Sequence, residues 1–247
     1  MSYLCTGNNK ASMKHIVVLT GAGISAESGL STFRDNNGLW TKVNVKELAS
    51  IQGYRKDRAK VLAFYNERRK NLLNAEPNHA HKVLAELEKE YKVSIITQNV
   101  DDLHERGGST NVLHLHGELR KVTGSNNPND ARCIKEIPLD EPIKIGDKAA
   151  DGSQLRPFIV FFGEGVPNMV EAKRICKEAD IFVIIGTSLV VYPAATLIES
   201  VPRKIPCYII DPGEFYEKDL YGFEHIKTTA VAGIDILKQK LAELWLS

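Results

Sequence analysis

Two histidines are the side chains of this sequence best suited to proton chemistry near neutral pH. His114 and His116 stand two apart in "LHLHGEL". An imidazole titrating near neutrality is a natural general base. Both rings point to the same face in a regular strand, so spacing does not choose between them. A second group is the glycine pattern Gly21-x-Gly23-x-x-Ala26 in "VLTGAGISAESGLSTFR". Behind a strand, such a loop lets backbone N–H groups approach a pyrophosphate; without further support it is also an ordinary tight turn. A third is Tyr65 and Arg68, three apart in "DRAKVLAFYNERRKNLLNA". On a helix they share a face and can converge on one anion, whereas Arg69 points about 100° further round. The plain alternative is a solvated Arg on an amphipathic helix.

These groups need a scaffold, and the strand signals supply one. Short apolar runs at 15–20, 93–97, 112–115, 158–162, 181–185 and 206–210 alternate with helical patterns at 78–90, 168–179, 192–200 and 233–245. Continuously apolar strands alternating with helices predict an α/β fold, a doubly wound parallel sheet covered on both faces. Residues 35–75 and 118–155 interrupt the alternation and predict a smaller lobe. The turns "TQNVDDLH", "HLHGEL", "GTSLVV" and "DPGE" follow four of the strands. Ligands of such sheets bind outside the carboxyl ends of the strands, so Gln98, Asn99, Asp101, His116, Ser188 and Asp211 should share one cleft with the glycine loop. A dehydrogenase would continue from that loop into a helix and a second strand ending in Asp or Glu. "SGLSTFRDNNGLW" does not.

Composition narrows the function classes. The 247 residues carry 32 Lys+Arg against 31 Asp+Glu, a net charge of +1, which gives no bulk field for nucleic acid or a membrane surface. No apolar stretch approaches a membrane span and the first residues lack a signal-peptide core, so the expected location is the cytoplasm. The four cysteines, Cys5, Cys133, Cys176 and Cys207, form no C-x-x-C pair.

"GAGISAESGLSTFR", "TQNVDDLHERGG", "LHLHGEL", "LRPFIVFFGE" and "IIGTSLVVYPAA" occur in the order and spacing of the sirtuin signature blocks. The chain resembles that family of NAD-dependent protein-lysine deacylases over residues 14–240. The resemblance implies a Rossmann-type NAD-binding large domain from 1–34, 76–117 and 156–247, with a small lobe from the helical insertion 35–75 and the insertion 118–155. It implies that NAD is consumed, releasing nicotinamide and 2′-O-acyl-ADP-ribose. By position, Gly21, Ala22, Gly23, Phe33 and Arg34 would border the phosphates and nicotinamide ribose, and Gln98, Asn99 and Asp101 the ribose and nicotinamide pocket. Gly186, Thr187 and Ser188 would lie near the adenosine half, and Ala232 near the adenine. His116 matches the catalytic histidine, which would take a proton from a ribose hydroxyl; His114 is then a buried, hydrogen-bonded neighbour. Gly163, Glu164 and Val166 would pair with an acyl-lysine peptide as an added strand, and Val160 would border the acyl channel.

Tyr65 and Arg68 match the Tyr-x-x-Arg motif of the desuccinylase and demalonylase branch, and Ala49 its small pocket residue. The resemblance therefore favours acidic acyl groups (succinyl, malonyl or glutaryl) over acetyl, which stays within range. Two departures stand out. Most sirtuins hold zinc with four cysteines in the small lobe, but here the first pair falls on Gly124 and Asn127 and the second is missing. No metal is expected, so 118–155 must be held by apolar contacts or be mobile. Asp211 stands where Asn is common; it accepts but cannot donate hydrogen bonds, and its charge disfavours a 2′-phosphorylated cofactor. The expected partners are acyl-lysine proteins or peptides, with no nucleic acid or membrane, and the chain is expected to be a monomer. Two other readings are a mono-ADP-ribosyltransferase or NAD hydrolase, and a non-catalytic NAD or ADP-ribose sensor.

Overall fold

Apolar β-branched runs that stop at polar turns become strands, and a computed structural model shows them over the described residues 13–31, 45–215 and 222–244. The order is β1 (His15–Thr20), a 3-10 helix (Ala22–Ser28), α1 (Val45–Leu48), α2 (Ile51–Lys56), α3 (Arg58–Asn74), α4 (His79–Leu87) and β2 (Lys92–Thr97). Next come α5 (Leu103–Arg106), β3 (Val112–His114), β4 (Gly117–Gly124), β5 (Lys135–Glu136) and β6 (Leu155–Ile159). The chain continues through α6 (Met169–Lys177), β7 (Ile181–Ile185), a second 3-10 helix (Ala194–Ser200), β8 (Cys207–Ile210), β9 (Phe223–Ile226) and α7 (Ala230–Glu243).

Six strands form one sheet in the order β3-β2-β1-β7-β8-β9, and every neighbouring pair is parallel. On one face, α4 and α7 pack Leu84, Ile234 and Leu237 against Ile16, Val18 and Val183. On the other, α6 and the second 3-10 helix bring Ala172, Cys176 and Leu197 onto Val17, Leu19 and Ile184. This is the expected doubly wound α/β architecture. Strand order reverses between β1 and β7, and the crevice beyond their carboxyl ends is the binding position such sheets provide.

The apolar run 158–162 departs from the reading that placed it in the parallel sheet. The strand here is Leu155–Ile159, antiparallel to β4 in a second sheet ordered β5-β4-β6, so the boundary drawn at residue 156 cuts through a strand of the small sheet. Its apolar side chains serve another core: Leu155, Ile159 and Phe161 pack with Tyr54, Val61, Leu62 and Tyr65 from α2 and α3. Gly117 makes this possible, because its φ is +81° and a Cβ there would lie 2.0 Å from the Phe158 carbonyl oxygen. The helical pattern at 192–200 is a 3-10 helix over Ala194–Ser200.

The insertion 118–155 is tied down by burial and by two polar anchors from α3. Val122, Cys133, Leu139, Ile143 and Ala149 are buried in the cluster that contains Leu72 and Tyr65. Arg69, fully buried, donates to the carbonyls of Leu119, Pro138 and Glu141. Asn66 donates to the Ile143 carbonyl and accepts from the Ile143 N–H, both at 2.9 Å. Among the described residues, no group of three or more His, Cys, Asp or Glu side chains is disposed to hold a metal ion.

Candidate active site

The two glycine loops meet at the switch point. Gly21 N–H donates to the Ile185 carbonyl at 3.0 Å and Gly23 N–H to the Gly186 carbonyl at 2.8 Å. A Cβ on Gly186, whose φ is +64°, would lie 2.3 Å from the Ile24 nitrogen. Only glycine lets these backbones approach so closely. The short helix after Gly21 is held from outside by Asn78, the N-cap of α4, which donates to the Ile24 carbonyl (2.7 Å) and Ser28 Oγ (3.0 Å). No motif in the sequence singles out Asn78, whose one signal is that an Asn directly precedes an amphipathic run.

A cavity of about 840 Å³ opens here. Gly21, Ala22 and Gly23 line it together with Gln98, Asn99, Asp101 and His116. Gly186, Thr187, Ser188 and Asp211 line the same cavity. Phe33 and Arg34 lie outside the described residues. Ala232 is not in the lining; Thr229 and Ala230 are, while the Ala232 N–H turns back to Thr229 Oγ1 at 3.4 Å. The Asp211 carboxylate accepts from the Gly213 N–H at 2.7 Å, which fixes the turn after β8.

Loop 98–101 is locked by its own polar atoms. Asn99 Nδ2 donates to the Gly21 carbonyl and to Ser25 Oγ, both at 3.2 Å, and Ser25 Oγ donates to Asp101 Oδ2 at 3.1 Å. Gln98 Nε2 donates to Thr187 Oγ1 at 3.1 Å, bridging the β2 and β7 turns. Burial raises the Asp101 pKa, against the opposing bonds from the Leu103 N–H and the Ser25 hydroxyl.

The hydrogen bonds separate the two histidines that spacing left equivalent. β3 ends at His114, so the regular-strand argument stops there. His116 Nδ1 faces the Gln98 carbonyl at 2.9 Å. A carbonyl only accepts, so Nδ1 carries the proton and Nε2 presents its lone pair. Burial lowers the His116 pKa, partly offset by that bond, which keeps the ring neutral at pH 7. His114 instead has both nitrogens engaged, Nδ1 with the Asn99 carbonyl (3.0 Å) and Nε2 with Glu105 Oε1 (2.8 Å). It is not in the lining of the large cavity.

The other end of the cavity is aromatic and cationic. Tyr65 and Arg68 both line it, as do Ala49, Val160, Gly163, Glu164 and Val166. Burial pushes the Tyr65 phenol up to about 12, so it stays a donor, while the Tyr65 ring lies 5.6 Å from that of Phe161. Burial lowers the Arg68 pKa, and Tyr65 and Asp101 counter it. Arg69 faces the other way, into the carbonyls of 119–141. Glu164 is engaged by Arg156, which is fully buried and donates to both carboxylate oxygens at 2.7 and 2.9 Å; the Phe161 N–H adds a third bond. These bonds, with the Glu164 N–H donating to the Phe161 carbonyl at 2.9 Å, fix the start of the 162–166 turn. On its other side Phe162 already pairs with residues 49–51, through its N–H to the Ala49 carbonyl and its carbonyl to the Ile51 N–H. Arg156 and Phe161 were also missed, since only the turn after β6 brings Glu164 back onto Arg156, eight residues before it.

Comparison with known proteins points the same way. A family model described as "Sir2 family" matches residues 21–193. An NAD-dependent protein deacylase of Bacteroides thetaiotaomicron is 54% identical over 93% of this chain and 98% of its own length. One from Helicobacter pylori (strain 26695) is 49% identical over 94% and 99%. Among solved structures, a mutant Sir2 homologue in complex with ADP-ribose superposes with a TM-score of 0.83 at 40% identity, covering 94% of each chain. With the glycine crevice, the Gln98–Asp101 loop and His116 brought to one cavity, and with these relatives matched along nearly their whole length, the chain belongs to the Sir2 family.

Proposed function

We propose that this protein is an NAD-dependent protein-lysine deacylase that favours succinyl, malonyl and glutaryl groups over acetyl. The observation that carries the acyl preference is that Tyr65 and Arg68 line the same cavity as His116. A guanidinium beside a phenol that remains protonated is a receptor for a terminal carboxylate. Small Ala49 leaves room for it.

The crevice fits NAD as co-substrate: the glycine loops expose backbone at the sheet's switch point, and the cavity volume lies in the range of small-molecule sites. Bound NAD supplies an electrophilic ribose carbon with nicotinamide as its leaving group. Asn99 and Asp101 border the cleavage end, and Asp101 fixes Ser25 and through it the glycine helix. His116 Nε2 takes a proton from a ribose hydroxyl, and its Nδ1–H bond to Gln98 holds the ring in that tautomer. The turn at Gly163–Val166 receives the peptide by backbone pairing, so preference for flanking sequence is loose. The small lobe needs no zinc in this reading, because apolar packing and Arg69 do the holding.

The test is kcat/KM on one peptide carrying succinyl-, malonyl-, glutaryl- or acetyl-lysine. Higher values for the acidic groups support the reading; a preference for acetyl keeps the reaction and removes the Tyr65–Arg68 role.

A further inference from the structure

His114 and Glu105 do not touch the reacting groups in the reading above, yet they end a continuous chain of hydrogen bonds that reaches the glycine loop. Glu105 Oε1 accepts from His114 Nε2 at 2.8 Å, and the Asn99 carbonyl accepts from His114 Nδ1 at 3.0 Å. Asn99 Nδ2 in turn holds the Gly21 carbonyl and Ser25 Oγ. The His114 backbone is pinned as well, its carbonyl accepting from Asn168 Nδ2 at 2.7 Å. The His114 side chain is 7% exposed and that of Glu105 is 41% exposed.

Both acceptors around the His114 ring are pure acceptors if Glu105 is ionised, so satisfying them requires a proton on each nitrogen. A neutral ring would have to turn a lone pair toward one of two oxygens. The bond to the carboxylate is the stronger. The proton lost is then the one facing Asn99.

We propose that Glu105 and His114 form a positioning dyad, in which a His114 imidazolium held by Glu105 fixes the Asn99 backbone and with it the Asn99 amide against the glycine loop. This rests on the deacylase reading, in which Asn99 borders the bond that is broken. The charged groups around the ring agree. Burial works against the charge on His114, but Glu105, Glu118 and the bond to the Asn99 carbonyl together raise the pKa. The Asp101 carboxylate also interacts with the ring, and the neighbouring His104 is held neutral by burial, so it adds no opposing charge. Lys121 lies near Glu105 and is paired with Glu118 at 2.7 Å. The positioning is complete below the ordinary histidine pKa near 6.5 and is lost as pH rises through the raised one.

The experiment has two arms, on the full chain and on Glu105→Gln. In ¹⁵N-histidine NMR, His114 should stay doubly protonated above pH 6.5 in the parent and lose that proton at lower pH in the variant. In the pH profile of kcat/KM for an acyl peptide, the alkaline limb should move down by about one unit or more. The loss between the two alkaline limbs should be about tenfold, the scale of one charge-assisted hydrogen bond. The acid limb, which belongs to His116, should stay in place. An unchanged His114 titration, or an equal loss of activity at every pH, would overturn the proposal. If no acyl peptide is turned over by the parent, the deacylase reading fails, and the NMR arm still decides the dyad.

Discussion

The proton on His116 Nδ1 is dictated by the Gln98 carbonyl, so the chemistry assigned to this ring depends on one free nitrogen. His116→Ala or His116→Tyr should reduce kcat by at least about a hundredfold with the fold intact. Retained activity would remove the general-base role. Because burial lowers this pKa, kcat/KM should rise with pH through a value below 6.5, and an acid limb at or above 6.5 would contradict the assigned environment. Arg68→Met should lower kcat/KM for succinyl-lysine by about ten- to a hundredfold, the scale of a charge-assisted bond pair. Acetyl-lysine should change by less than about threefold. Equal losses on both substrates would make Arg68 a structural residue like its neighbour Arg69.

Among the elements, α3 performs two tasks, since one face supplies Tyr65 and Arg68 and another sends Arg69 and Asn66 into the insertion 118–155. Arg69→Met leaves three carbonyls without their donor and should cost about 3 kcal/mol, read as a drop in melting temperature. Dialysis against a chelator should leave the melting temperature unchanged; a fall would reveal a metal holding the lobe. Legibility in the sequence also divides by element. β1 and β7 stand at the expected positions because strands buried on both faces read as uninterrupted apolar runs. The run 158–162 is equally apolar and overlaps β6 only at Phe158 and Ile159, and such a run does not say which sheet it joins. β4, "GELRKVTG", hid its strand in polar residues, and β9 is a four-residue edge strand. The site was legible where its residues are adjacent in sequence, as in 98–101 and 114–117. Glu105–His114, Arg156–Glu164 and Asn78–Ile24 were not, because each pair is joined only by the folded chain.

For the molecule as a whole, buried neutral histidines set the response to acid. Burial lowers His81 to about 4 and His104 well below 6.5, and both sit between α4, α5 and the strand ends. The unfolded chain binds protons near 6.5 that the native state refuses, so stability present above that pH falls as pH drops toward 4. His81 alone accounts for roughly 3 kcal/mol of that loss. Melting temperatures measured from pH 7 to 4.5 should fall steadily, and a flat profile would contradict the burial of these rings. The sheet, the small lobe and the crevice between them matter because they bring the glycine loops, His116 and the Tyr65–Arg68 pair to one cavity. The most direct test is mass-spectrometric detection of the products from NAD with and without a succinyl-lysine peptide. Nicotinamide, deacylated peptide and O-succinyl-ADP-ribose should form in equal amounts, with almost no nicotinamide without peptide. Nicotinamide released at the same rate in the absence of peptide, or none in its presence, would contradict the deacylase reading.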